Sequence, residues 1–131
     1  MNAKESPIFI KLFDFVSWVL PLTAKFPREQ RFILAERLQR VTLAAHEAAI
    51  KAGMSKTPEA TLARLDKVAV QLALVRFYLR LARKQFLITD RQLEFATERL
   101  AEIGRLLRGW QKSLQGNDTL NKQAIPGAAS R

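Results

Sequence analysis

The chain has 131 residues, enough for one domain with its own core, because 48% of them are apolar. It has no cysteine and one histidine, which excludes a disulfide framework, a thiolate metal site and a cysteine nucleophile. Lys and Arg number 22 against 12 Asp and Glu, a net charge of +10. Such an excess favours a polyanionic partner (RNA, DNA or an anionic membrane surface) over a merely basic soluble domain.

The N-terminal half predicts two helices. Apolar residues recur at three- and four-residue steps over residues 7–25, and Pro21 should kink this helix or end its regular hydrogen bonding. A second helix is predicted over residues 27–52, with Gly53 as its natural stop. No uncharged apolar run approaches the ~20 residues of a membrane span, and the N-terminus lacks a secretory signal. We therefore expect a cytoplasmic protein with no membrane partner.

The C-terminal half predicts two more helices. Thr57 can cap a helix that begins with Pro58 and runs to about residue 87. Thr89 and Gln92 form a T-x-x-Q capping box for a fourth helix, which should end at Gly116. Residues 116–131 have little apolar content, so the predicted organisation is a bundle domain over 1–115 and a disordered tail over 116–131. Four helices with short connections and no strand-like alternation predict an all-α, antiparallel up-down four-helix bundle.

The third helix carries two separate apolar stripes. The first follows a heptad a/d pattern and should face the bundle core: Leu65, Val68, Leu72, Val75, Leu79, Ala82 and Phe86. The second lies well over 90° away around the helix: Val70, Leu74, Phe77 and Leu81. Two stripes indicate burial on two sides, either inside a wide core or against another subunit. We favour the second stripe as an oligomer interface.

Basic residues line one edge of the third helix between these stripes. Arg76, Arg80 and Arg83 are spaced i, i+4 and i+7, with Lys84 beside them, and no carboxylate on this helix is placed to pair with them. This favours polyanion binding over interhelical ion pairs. The fourth helix carries Arg105, Arg108 and Lys112 near its end. Because cations there also stabilise the helix dipole, their role as nucleic-acid ligands is less distinctive.

Known catalytic and metal-binding patterns are absent from the sequence. His46 is the only imidazole, which excludes the paired Glu-x-x-His motifs of di-iron bundles. No phosphate-binding glycine motif occurs, and no serine has a histidine-plus-acid context. We therefore expect a protein that is not an enzyme and needs no cofactor or metal.

Two stretches carry a resemblance to a known family: VRFYLRL at residues 75–81 and AEIGRLLRGW at residues 101–110. Together with WVLPL at 18–22 and KFPR at 25–28, they resemble the accessory variability proteins (Avd) of diversity-generating retroelements. These lie within a wider four-helix-bundle group that includes the 23S rRNA intervening-sequence proteins. The resemblance covers residues 9–114.

The resemblance implies a basic, ring-like homopentamer of four-helix bundles. Such a protein would bind RNA and DNA and a reverse transcriptase, and would support mutagenic retrohoming in a bacterial or phage-infected cell. The arginines carried over by motif are Arg76 and Arg80. Residues 45–53 lack the Asn-Ile-Ala-Glu-Gly-like stretch typical of the rRNA branch, which favours the retroelement branch. The alternatives are an RNA-binding bundle without a polymerase partner and a purely structural oligomer.

Overall fold

The computed structural model describes the backbone of residues 6–124 and the side chains of residues 6–116. Four long helices account for most of the chain: α1 (Pro7–Ala24), α2 (Glu36–Gly53), α3 (Pro58–Lys84) and α4 (Asp90–Ala124). Residues 6–124 contain no strand, so the predicted all-α class is confirmed.

Neighbouring helices run antiparallel around one core. Helix α1 packs against α2 and α4, and α3 packs against the same two helices. Residues early in α3 meet residues late in α4, as in the hydrogen bond between Asp66 and Gln111, whereas Arg83 near the end of α3 meets Asp90 at the start of α4. The same inversion relates α1 to α4, since Phe9 contacts Trp110 and Trp18 contacts Phe95. This is the arrangement expected of an up-down bundle.

The predicted core stripe of α3 is confirmed with one exception. Its members from Leu65 to Ala82 are buried and pack with apolar residues of the other three helices. Phe86 was expected to extend the stripe, and that prediction is wrong. Helix α3 ends at Lys84, and the backbone of Phe86 turns to a positive φ of 61°, which leaves its ring 84% exposed. The turn to α4 thus takes the place of a further helical turn.

Two helix starts follow the predicted capping chemistry. The Oγ1 atom of Thr57 accepts a hydrogen bond from the backbone N–H of Ala60 over 3.1 Å. At α4, the side chain of Gln92 accepts from the backbone N–H of Thr89, and Thr89 Oγ1 accepts from the N–H of Gln92, over 2.9 and 3.0 Å. This is a reciprocal capping box that satisfies donors which a helix start otherwise leaves unpaired.

The second predicted helix is less regular than its periodicity suggested. It opens with a 3₁₀ turn (Arg28–Gln30) and a π turn (Arg31–Ala35) before α2 begins. A π turn accommodates an extra residue per turn, which rotates the preceding side chains relative to α2. Within this π turn Leu34 and Ala35 are buried, while Phe32 and Ile33 are 75% and 63% exposed.

Helix α1 has the limits expected from the sequence, whereas α4 is longer than expected. Helix α1 continues past Pro21 to Ala24, so the proline does not end it. Helix α4 continues past Gly116 to Ala124. The division of the chain at residue 115 into a bundle and a disordered tail stays a prediction, and residues 125–131 lie outside the described residues.

Helix α1 meets the length and hydropathy of a membrane span, with 18 residues and a mean hydropathy of 1.4. Its buried face packs into the bundle core through Ile8, Leu12, Phe15 and Val19. The core helix of a water-soluble bundle passes the same test, so this is weak evidence for a membrane. Helix α1 also carries a charged side chain, Lys11, which forms an ion pair with Glu102 of α4 over 3.5 Å.

Candidate nucleic-acid interface

Arg76, Arg80 and Arg83 form the arginine edge of α3, which lies along the groove between α3 and α4. Arg76 is half-buried there, and its Nη2 atom donates a hydrogen bond to the backbone oxygen of Leu100 on α4 over 3.2 Å. Arg80 follows one turn later and is exposed. Within residues 6–116, neither guanidinium group forms an ion pair with a carboxylate. Their positive charge is therefore available to an anion from solution.

Arg83 differs from its neighbours because it has a carboxylate partner. Its Nε atom donates to Oδ1 of Asp90, the first residue of α4, and its guanidinium lies over the Phe86 ring, 5.5 Å from the centroid. The hydrogen bond from Arg83 lowers the pKa of Asp90, and the same bond raises that of Arg83. The interhelical ion pair left open by the sequence is thus observed for Arg83. Lys84 is exposed beside it.

Of the basic residues near the end of α4, Arg108 lies on the other side of the same groove. Arg108 is exposed, and its Nη1 atom would lie 3.3 Å from a Cβ atom built on Gly104. Arg105 and Lys112 are exposed on the outer face of α4. The nearby acidic side chain of Glu102 is engaged with Lys11 instead. In the part of the chain whose side chains are described, Arg105, Arg108 and Lys112 form no ion pair.

The structure brings Arg76 and Arg108 together, although they are on different helices. Both approach Gly104: the Nη2 atom of Arg76 would lie 3.7 Å from the same hypothetical Cβ. The sequence analysis assigned no role to Gly104. Gly104 lies six residues before Trp110, and nothing in this local sequence indicates that α3 faces it. Only the packing of α3 on α4 shows this convergence.

The second stripe of α3 is exposed in the single chain. Val70, Leu74, Phe77 and Leu81 are 58%, 37%, 53% and 36% exposed. The alternative that this stripe lies within a wide core is therefore wrong for the single chain. Its burial against another subunit stays a prediction.

The comparisons with known proteins agree with this architecture. A model of the bAvd-like family matches residues 8–114. This chain belongs to the bAvd-like family. The match spans all four helices of the bundle and includes the arginine edge of α3 and Arg108 of α4.

One solved structure similar to this bAvd-like protein is a Bacteroides thetaiotaomicron protein of unknown function from the S23 ribosomal protein family. It shares 19% sequence identity and a TM-score of 0.75, over 80% of this chain and 95% of that one. At this identity the likeness shows the fold alone. No curated protein matches this chain significantly.

A second apolar surface of this bAvd-like protein lies between α1 and α2, and the sequence analysis did not identify it. It is a groove of about 540 Å³ whose most exposed lining residues are Met54, Phe13 and Ile10. His46 lies in it, with its ring edge-on to Phe13 at a centroid distance of 6.4 Å. Burial lowers the pKa of His46 below 6.5, and the nearby Glu47 carboxylate opposes this less strongly.

Proposed function

We propose that this bAvd-like protein is a non-enzymatic accessory factor of a diversity-generating retroelement. In this role it binds RNA and DNA through the α3–α4 groove, docks a reverse transcriptase and supports mutagenic retrohoming in the cytoplasm. The family assignment supports the accessory role. The observation that supports nucleic-acid binding is that five cations of α3 and α4 have no carboxylate partner among the described residues. Arg76 and Arg108 meet at the α3–α4 groove, and Arg80, Arg105 and Lys112 are exposed on the same two helices.

The arrangement of these cations suits a phosphate backbone rather than base edges. They are spread over two antiparallel helices, so they can follow a chain of phosphates. Among residues 6–116 we identify no set of side chains that would read base edges in a groove of DNA, and phosphate contacts carry no sequence information of their own. We therefore expect binding to RNA and DNA with little sequence preference.

Assembly into a ring-like homopentamer is part of the same proposal. The exposed stripe of α3 is apolar and contiguous, as expected of a subunit interface. A cyclic ring needs two different surfaces that meet head to tail. The α3 stripe and the groove between α1 and α2 are two such surfaces on one subunit. Because the arginine edge lies beside the stripe on α3, assembly would place cations from successive subunits near one another.

A binding titration across salt concentrations tests the nucleic-acid part. Fluorescence anisotropy of labelled single-stranded RNA and DNA of scrambled sequence should give similar affinities. Raising salt from about 50 to about 200 mM should weaken binding by several orders of magnitude if six or more phosphates are contacted. An affinity that stays flat over this range would contradict binding through cations and phosphates.

A second measurement separates this function from its alternative. The reverse transcriptase of a diversity-generating retroelement should co-elute with this protein in size-exclusion chromatography after nuclease treatment. Nucleic-acid binding without co-elution would instead support an RNA-binding bundle with no polymerase partner. If the protein neither binds nucleic acid nor co-elutes with the reverse transcriptase, the result would support a purely structural oligomer.

A further inference from the structure

Two guanidinium groups approach one glycine in the groove between α3 and α4. A Cβ atom at Gly104 would lie 3.3 Å from Nη1 of Arg108 and 3.7 Å from Nη2 of Arg76. Gly104 itself is buried. The glycine thus leaves room for both arginines to lie close against the helix backbone.

This convergence is electrostatically unfavourable without an anion. Two guanidinium groups that approach the same residue carry like charges, which repel each other. Within residues 6–116 no carboxylate pairs with either arginine. Elsewhere in the same bundle the structure does supply such partners, as Asp90 does for Arg83 and Glu36 for Arg40.

The position of Arg76 is held by a contact that leaves most of its donors unused. Nη2 donates to the backbone oxygen of Leu100, a helical carbonyl that lies one turn before Gly104. A guanidinium group has five N–H donors in a planar fork, so several remain for a ligand. Arg108 forms no hydrogen bond within the part of the chain whose side chains are described. The two guanidinium groups therefore present N–H donors from both sides of the small space beside Gly104.

We propose that Arg76 and Arg108, with Gly104 between them, form a binding site for a single phosphate group, which we call the phosphate seat. This inference rests on the proposed nucleic-acid binding and deepens it, because it selects one phosphate position within a broadly basic groove. Paired arginines suit a phosphate because their forks match the spacing of its oxygens. Arg105 and Lys112, exposed elsewhere on α4, would then add attraction for the nucleic acid without contacting this phosphate.

A substitution that leaves the net charge unchanged distinguishes binding at this seat from attraction by the net charge of the protein. Gly104→Leu places a side chain where the two guanidinium groups converge and leaves the net charge unchanged. Gly109→Leu is the matched control, since it makes the same change on the same helix at a position with open space around its Cβ. Anisotropy with labelled single-stranded DNA should show about tenfold weaker binding for Gly104→Leu, the effect of one lost charge-assisted contact. Gly109→Leu should bind as the unaltered protein does.

The salt dependence provides a second readout that altered folding would not produce. The slope of log affinity against log salt should decrease by about one for Gly104→Leu and stay constant for Gly109→Leu. Equal affinities and slopes for the two leucine variants would overturn the seat while leaving nucleic-acid binding intact. If the unaltered protein fails to bind DNA, the proposed function and the seat fall together.

Arg76→Lys plus Arg108→Lys covers the case in which Gly104→Leu does not fold, as judged by circular dichroism. This variant keeps every charge and the packing of Gly104, but it replaces planar forks with point charges. Its control is Arg31→Lys plus Arg37→Lys, at two exposed positions outside α3 and α4. A several-fold loss confined to the first pair supports the seat, and equal affinities for the two pairs would overturn it.

Competition with inorganic phosphate distinguishes two sources of the phosphate group, the free ion and a nucleic-acid backbone. If the seat accepts free phosphate, this ion should displace DNA from the unaltered protein better than chloride at equal ionic strength, and Gly104→Leu should lose that difference. If phosphate and chloride act alike while the leucine variants still differ, the seat takes a phosphodiester only as part of a nucleic-acid backbone.

Discussion

The Nη2 atom of Arg76 on α3 lies 3.2 Å from the backbone oxygen of Leu100 on α4. This hydrogen bond spans the groove between the two helices and fixes a guanidinium group there without a carboxylate to neutralise it. One turn further along α4, Gly104 leaves space for the same group and for Arg108. The contact therefore serves both the packing of α3 on α4 and the positive charge of the groove.

The ion pair between Arg83 and Asp90 should limit the contribution of Arg83 to nucleic-acid binding. Asp90→Asn removes a negative charge from the groove and frees the Arg83 guanidinium, so affinity for single-stranded DNA should rise several-fold at low salt. Asp66→Asn makes the same charge change near the opposite end of α3 and should have a smaller effect. Equal gains for both variants in anisotropy titrations would show that only net charge matters.

The exposed stripe of α3 should hold subunits together. Phe77→Glu places a charge in an apolar surface and should shift the assembly to smaller species in analytical ultracentrifugation, with helicity retained. Ala60→Glu makes the same charge change at an exposed position of α3 outside the stripe and should leave the sedimentation coefficient unchanged. If the unaltered protein sediments as a monomer at micromolar concentration, the stripe does not bind another copy.

The capping box at the start of α4 should stabilise the bundle measurably. Thr89→Ala removes the Oγ1 atom that accepts from the N–H of Gln92, and loss of such a cap costs about 1 kcal/mol. Urea denaturation should show this as a lower midpoint with an unchanged slope. Ser113→Ala, at an exposed position within α4, is the control and should change the midpoint far less.

Stability should fall as the pH drops below the usual pKa of histidine. Burial lowers the pKa of His46 from 6.5, so the unfolded chain takes up a proton before the folded protein does. The free energy of unfolding should therefore decrease as pH falls through 6.5 towards the lower pKa of the folded state. His46→Leu should flatten this dependence in urea titrations between neutral pH and pH 5. A dependence that persists in the variant would assign the effect to other groups.

Local patterns in the sequence predicted most of the fold. Apolar spacing indicated four helices, and the identities of Thr57, Thr89 and Gln92 indicated where two of them begin. The exposed phenylalanine at 86 shows where this reasoning fails. Periodicity continued to that residue, but the connection to α4 required a positive φ there, and a heptad pattern carries no information on where the chain must turn.

The candidate site was only partly predictable because its contacts join separate helices. The row of arginines on α3 is visible in the sequence. The pairing of Arg83 with Asp90 and the approach of Arg108 to Arg76 depend on the alignment of α4 along α3. The groove between α1 and α2 likewise combines residues far apart in the chain. Side chains that meet across a bundle require the packing geometry, which one sequence does not provide.

The central claim is that a defined surface between α3 and α4, rather than net charge, binds nucleic acid. It is tested most directly by comparing two variants of equal charge in anisotropy titrations with single-stranded RNA over a series of salt concentrations. Arg76→Ala plus Arg80→Ala should weaken binding by at least about tenfold and reduce the salt slope by about two, one for each lost phosphate contact. Arg31→Ala plus Arg37→Ala should change either quantity far less, and equal losses from the two variants would contradict the account.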